Sequence, residues 1–232
     1  MQAPARVAVL ASGGGSNLQA LIDRFHAVPR PAARVELVVA GRPGIGALDR
    51  AERAGIRAHV QDPQLRDVDS VADDLLGELE RHRIDLVVLA GYLRLIPVAV
   101  VERFHGRMLN IHPALLPAFG GRGMYGLRVH QAVLDAGVRV TGATVHLVDE
   151  RYDAGGILAQ WPVPVLPGDT AERLAARVLA IEHLLLPRVV EEVARGQAEL
   201  PESPSPVAFD LAFRELPAEE ALRWLTTPPP SR

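Results

Sequence analysis

The chain has 232 residues, 48% of them hydrophobic, which suits one domain with a sizeable core and excludes a wholly disordered protein. A net charge of −3 argues against a general nucleic-acid binder, which would carry a basic excess. The absence of cysteine excludes disulfides, thiol catalysis and thiolate metal sites, and is compatible with the cytoplasm.

The first residues lead straight into an apolar run, without the basic region and long apolar core of a signal peptide. No apolar run is long enough to span a bilayer, so the expectation is a cytoplasmic protein with no membrane partner. Residues 6–11 read as a short buried strand. Ser12-Gly-Gly-Gly-Ser-Asn17 follows, and then Leu18, Leu21, Ile22 and Phe25 mark one face of a helix. A glycine-rich turn into a helix start lets an anion approach free N–H groups at the positive end of the helix dipole. Ser16 or Asn17 suits the N-cap, or a hydrogen bond to a phosphate. Leu18 stands where a dinucleotide fingerprint has its third glycine, and no Gly-Lys-Ser/Thr follows. A monophosphate site is therefore favoured over a bare turn or a dinucleotide site.

Residues 34–40 predict a second strand, residues 47–54 a short helix and residues 58–60 a short third strand. Val68, Val71, Ala72, Leu75, Leu76 and Leu79 stripe the next helix, and the apolar run in residues 84–89 reads as a strand buried on both faces. The alternation predicts an α/β, Rossmann-like fold: a mostly parallel twisted sheet with helices on both faces, ligands lying beyond the C-terminal strand ends. The glycine turn, residues 91–97, Asn110 and His112 would share that edge.

Asn110 and His112 are two apart, so in extended backbone they point to one side, and Pro113 biases His112 to that conformation. Residues 117–126 hold four glycines and read as a mobile loop over the site or as a plain surface loop. A helix over 127–136 ends at Gly137, and the strand over 140–148 carries Thr144 and His146 in alternation. Asp149, Glu150 and Asp153 crowd the next loop, ahead of a strand over 157–165. Asp169 and Glu172 have capping-box spacing before a long helix that Pro187 should kink. On that helix a charged face is the default reading for Glu182 and His183. Residues 1–195 read as one domain. Residues 196–232 read as a partly disordered tail, with one short strand at 206–209 and a helix turn at 218–225.

Three segments carry a resemblance. Residues 9–22, with Ser12-Gly-Gly-Gly-Ser-Asn17, resemble the opening of the phosphoribosylglycinamide formyltransferase family. Residues 109–117, with Asn110-Ile-His112-Pro113, resemble the hallmark of folate-dependent formyltransferases. Residues 141–148 followed by Asp153-Ala-Gly155 resemble their third element. Methionyl-tRNA formyltransferase and formyltetrahydrofolate deformylase are similar in part, but carry additional domains that this chain is expected to lack.

The resemblance implies a catalytic domain with its phosphate side in the N-terminal half and its folate side in the C-terminal half. The substrates implied are glycinamide ribonucleotide and 10-formyltetrahydrofolate, with no metal, in a monomer or homodimer. Gly15, Ser16 and Asn17 match positions that hold the phosphate, and Glu182 a further contact to the same substrate. Arg94, Leu95 and Ile96 match a segment whose backbone binds the pterin, and Val148, Asp149, Glu150, Arg151, Tyr152 and Asp153 the folate-binding loop. Asn110, His112 and Asp153 match the catalytic trio. Two departures stand out: Leu179 replaces a Lys or Gln near the phosphoribosyl group, and the loop over 120–126 is longer. The chemistry agrees with the residue types. An amine attacks a formyl carbon, and one donor aimed at the developing oxyanion can contribute about 3 kcal/mol. The Asn110 amide and a protonated His112 are suited donors, with Asp153 expected to raise the His112 pKa and to order a relay water. The alternatives are a dinucleotide-binding dehydrogenase-like or regulatory domain, and a formyl-transfer fold that only binds folate.

Overall fold

The computed structural model describes residues 3–61 and 67–196; the expected tail strand and helix turn lie outside them. One seven-stranded sheet organises the described chain, in the order β3-β2-β1-β4-β5-β6-β7. Its strands are β1 (Ala5–Ala11), β2 (Ala33–Ala40), β3 (Arg57–Val60), β4 (Leu86–Leu89), β5 (Met108–His112), β6 (Val140–Leu147) and β7 (Ile157–Pro164). The first five run parallel to one another, whereas β6 runs antiparallel to both β5 and β7.

Strand alternation sends the two sets of side chains to two separate apolar layers. Val7, Val9, Ala11, Leu109 and Ile111 pack under α1 (Ser16–His26), α2 (Gly46–Arg53), α5 (Leu127–Asp135) and α6 (Ala171–Ala194). Ala8, Leu10, Val87 and Met108 pack under α3 (Val68–Arg81) and α4 (Val98–Arg103). All of β4 is buried, as a strand covered on both faces must be. Among the described residues no helix is long and apolar enough to cross a membrane.

Helix starts differ from the expectation. Gly15, in left-handed geometry at φ 73°, is the N-cap of α1, so neither Ser16 nor Asn17 caps it with a side chain. Thr170, not Asp169, caps α6 by accepting from the Arg173 N–H. Asp169 is drawn off by Arg177, which binds it with both Nη atoms at 2.7 and 2.9 Å. Helix α6 runs unbroken through Pro187, and α4 was not anticipated.

The strand order reverses between β1 and β4, the place where sheets of this type open a ligand crevice. There the glycine turn touches the loop after β4. The Ser12 N–H donates to the Gly91 carbonyl at 3.1 Å, and Ser12 Oγ accepts from the Leu93 N–H at 3.1 Å.

Candidate active site

Asn110 and His112 leave the same face of β5, the face that carries Met108. Register sets His146 of β6 beside Asn110, and Thr144 beside His112. Asp153 closes the group. Its Oδ1 accepts from Asn110 Nδ2 at 3.3 Å, its Oδ2 lies 3.5 Å from His112 Nδ1, and its Oδ1 lies 3.6 Å from His146 Nε2. The trio expected from sequence is thus assembled, with His146 as a fourth member.

Asp153 arrives by an indirect route. A loop that follows a strand of a parallel sheet would emerge on the C-terminal edge. But β6 is antiparallel, so the β6–β7 connection leaves the sheet beside the N-terminal end of β5, Leu147 pairing with Leu109. The connection folds back over the sheet face to reach Asn110 and His112. Gly155 permits this, because a Cβ there would sit 1.9 Å from the Leu147 carbonyl oxygen. Asp153 takes φ 53°, a left-handed conformation that Asp tolerates better than most residues. The next wall is the turn after β5. Thr144 Oγ1 donates to the Ala114 carbonyl at 2.6 Å and accepts from the Leu116 N–H at 3.1 Å.

The hydrogen-bond pattern orients each group. His146 Nδ1 faces the Leu147 carbonyl at 2.7 Å, so that nitrogen carries the proton, and Nε2 accepts from Asn110 Nδ2 at 3.0 Å. His112 Nε2 donates to the Phe119 carbonyl at 2.8 Å, leaving Nδ1 toward Asp153. Asp153 Oδ2 accepts from the Gly121 N–H at 2.9 Å. Burial pushes the His112 pKa below its ordinary value, and the Asp153 charge, which raises it, does not overcome that. The expected protonated His112 is therefore corrected: at rest the imidazole is neutral. Burial alone would raise the Asp153 pKa, but its surroundings of imidazoles, His146 and His112, together with the Gly121 N–H, hold it below the usual carboxylate value. Behind His112 lies His130 of α5, buried, its Nδ1 without a partner among the described residues; burial lowers its pKa to about 4.

The second group surrounds the glycine turn. Asn17 does not offer its amide nitrogen to the turn; Nδ2 donates to Glu182 Oε2 at 2.6 Å, in a buried pair that joins α1 to α6. Burial raises the Glu182 pKa more than the Asn17 bond lowers it. The default reading of Glu182 as part of a charged face is therefore corrected. Gly15 is required twice, by its φ and by α2, since a Cβ would meet Ala47 Cα at 2.8 Å. Arg50 of α2 donates to the Gly14 carbonyl at 2.9 Å and to Gln19 Oε1 at 2.9 Å, a cation at this turn that sequence reasoning missed.

The two folate segments flank the trio. Arg94 Nη1 donates to Gln61 Oε1 at 3.4 Å, the Leu95 side chain is exposed, and the Ile96 side chain is buried under α3 and α4. In the other segment Val148 packs on that same layer, the Val148 N–H donates to the Met108 carbonyl at 2.9 Å, and Asp149 Oδ1 accepts from the Arg151 N–H. Glu150, Arg151 and Tyr152 are exposed. No bond joins the trio to the Asn17–Glu182 pair among the described residues.

Comparison with known proteins agrees. The formyl transferase family model matches residues 5–190. The trifunctional purine biosynthetic protein adenosine-3 of Bos taurus is 45% identical over 200 residues, 86% of this chain, which spans only 19% of that protein's length. The chloroplastic phosphoribosylglycinamide formyltransferase of Arabidopsis thaliana is 43% identical over 87% of this chain and 70% of its own. The crystal structure of glycinamide ribonucleotide transformylase 1 from Symbiobacterium toebii superposes with a TM-score of 0.78 at 40% identity, covering 86% of this chain and 92% of that one. A family match over nearly all of the sheet, joined to relatives of comparable length, settles the assignment: the chain belongs to the formyl transferase family, on its phosphoribosylglycinamide formyltransferase branch.

Proposed function

We propose that the protein transfers the formyl group of 10-formyltetrahydrofolate to the amine of glycinamide ribonucleotide, giving formylglycinamide ribonucleotide and tetrahydrofolate in purine biosynthesis. The observation that carries this reading is the convergence of Asn110, His112 and Asp153 on one face of the sheet, beside the strand-order reversal. The folate co-substrate supplies the formyl carbon. The chain offers it a fitting place: Leu89 of β4 pairs with Asn110, so residues 90–96 leave the sheet next to the trio, and Leu93, Leu95 and Tyr152 present exposed apolar surface.

His146 fixes the Asn110 amide, because its Nε2 lone pair must face an N–H. Asn110 spends its second hydrogen on Asp153 at the longer distance of 3.3 Å, and that hydrogen turns to the formyl oxygen as negative charge grows there. His112 starts neutral. Its Nδ1 lone pair and the Asp153 carboxylate together accept the proton shed by the amine, through a water, and return it to the leaving nitrogen. A proton on Nδ1 converts the 3.5 Å contact with Asp153 into an ion pair. The turn over residues 13–17 and Arg50 form the positive end that suits the phosphate, with the buried Glu182 behind Asn17.

The catalytic roles, the 1–195 domain boundary, a cytoplasmic location and a monomeric or homodimeric state all belong to this proposal. Light scattering and cell fractionation check the last two; one relative carries a chloroplastic name. The test of the activity is the two-substrate assay described at the end of the Discussion.

A further inference from the structure

Gln61, directly after β3, is 1% exposed, yet it is a polar amide. Its Oε1 accepts from the Tyr92 hydroxyl and, at 3.4 Å, from Arg94 Nη1. Its Nε2 is buried and has no partner among the described residues. A guanidinium can only donate, so the amide must turn its oxygen to Arg94 and leave the nitrogen without a partner among the described residues. A buried NH2 without an acceptor costs stability, and that cost offsets part of what the bonds from Tyr92 and Arg94 to the same amide contribute. Packing alone therefore does not explain the amide.

Its position does. Tyr92 and Arg94 lie in the segment that leaves β4 beside Asn110. That segment is tied to the sheet through Ser12, by its contacts to Gly91 and Leu93, and Gln61 adds a hold from the β3 side. The Tyr92 ring also closes on Gly41, where an added Cβ would meet it at 3.4 Å. Burial raises the Tyr92 pKa to about 12, so the hydroxyl keeps its proton and remains a donor to Gln61.

We infer that Gln61 is a positioning residue: by holding Tyr92 and Arg94 it sets the backbone of residues 91–96 in the shape that receives the folate ring system. The inference rests on the formyl-transfer reading above. Gln61 touches no substrate and acts through its two partners.

The test uses the full chain, Gln61→Met, which removes both polar atoms at similar length, and Gln61→Glu, which keeps an acceptor for both donors. Three readouts are taken together: the Kd for tetrahydrofolate by calorimetry, KM for each substrate, and Tm. Gln61→Met should weaken tetrahydrofolate binding and raise the folate KM about tenfold, the scale of one lost hydrogen bond to a charged group. Its KM for the phosphoribosyl amine should stay near parent, and its Tm should fall only modestly, because the Tyr92 hydroxyl loses its acceptor. Gln61→Glu should restore folate binding toward parent. A Met variant that binds tetrahydrofolate as the parent does overturns the inference. So does an equal rise of both KM values, which would make Gln61 merely structural. A parent chain that binds no tetrahydrofolate overturns the functional reading itself, and the inference with it.

Discussion

Asp153→Asn is the change whose consequences the structure states most fully. The carboxylate accepts from one donor on each oxygen, Asn110 Nδ2 and the Gly121 N–H, and faces the His112 Nδ1 that takes up the proton. An amide has one oxygen and one NH2, so whichever way it turns, its NH2 faces a donor on one side. The carboxylate therefore contributes to folding as well as to catalysis. Losing one hydrogen bond to a charged group costs about 1.5–3 kcal/mol, or a Tm fall of about 3–12 °C for a chain of this size. The backbone adds nothing to that cost, because Asn accepts the φ of 53° as readily as Asp does. The catalytic loss is larger. Removing the acceptor for the transferred proton should lower kcat about 10²–10⁴-fold. The His112 pKa, already depressed by burial, should fall further, since the Asp153 charge is what raises it. Both KM values and kcat should be measured well below the variant's Tm, which is recorded beside the parent's, with the His112 imidazole followed by NMR titration. A folded variant with near-parental kcat would remove Asp153 from the mechanism, and an unchanged or higher His112 pKa would refute the electrostatic argument.

The glycine turn needs a gentler probe than Gly15→Val, which would drive a side chain into Ala47 and force a left-handed φ on a branched residue, a folding lesion rather than a binding one. Ser16→Ala is cleaner, since Ser16 opens α1 without capping it. The KM for glycinamide ribonucleotide should rise about tenfold with folate KM and Tm nearly unchanged, the scale of one hydrogen bond to a phosphate, and equal movement of both KM values would count against a phosphate there. Acid stability should report His130: unfolded it takes a proton near 6.5, folded only near 4. Its contribution is therefore complete above pH 6.5 and is lost as pH falls, about 2 kcal/mol of it by pH 5. His130→Gln should flatten the fall of Tm between pH 7 and 5, and an equally steep fall would contradict the assignment.

The sequence made the parallel half of the sheet legible because its physics is local. An apolar run, a glycine turn and a helix stripe mark β1 and α1, and the spacing of Asn110 and His112 places both on one face. The antiparallel end was less legible. Nearly all of β6 is buried, so its pattern matches that of a parallel strand and conceals its direction. With direction hidden, the route of Asp153 and the pairing of His146 with Asn110 were hidden too, although the alternation of Thr144 and His146 was visible. Asn17 read as a cap because caps are judged from neighbours in sequence, whereas its partner Glu182 lies 165 residues away. Burial decides the His112 protonation state, and burial at one atom is a property of the packed fold. Helix α4 is only six residues long, mostly valine and alanine, and carries no helical period to detect.

Formyl transfer from folate to the amine of a phosphorylated ribosyl glycinamide is the reaction proposed for this chain. Its most direct test mixes the purified chain with glycinamide ribonucleotide and 10-formyltetrahydrofolate, follows the folate absorbance, and identifies the product by mass spectrometry. Tetrahydrofolate and formylglycinamide ribonucleotide should appear in equal amounts, and the rate should fall about 10²–10³-fold in Asn110→Ala. Formylation that runs with formate and ATP but not with the folate, or stabilisation of the chain by NAD(P) in place of either substrate, would contradict it.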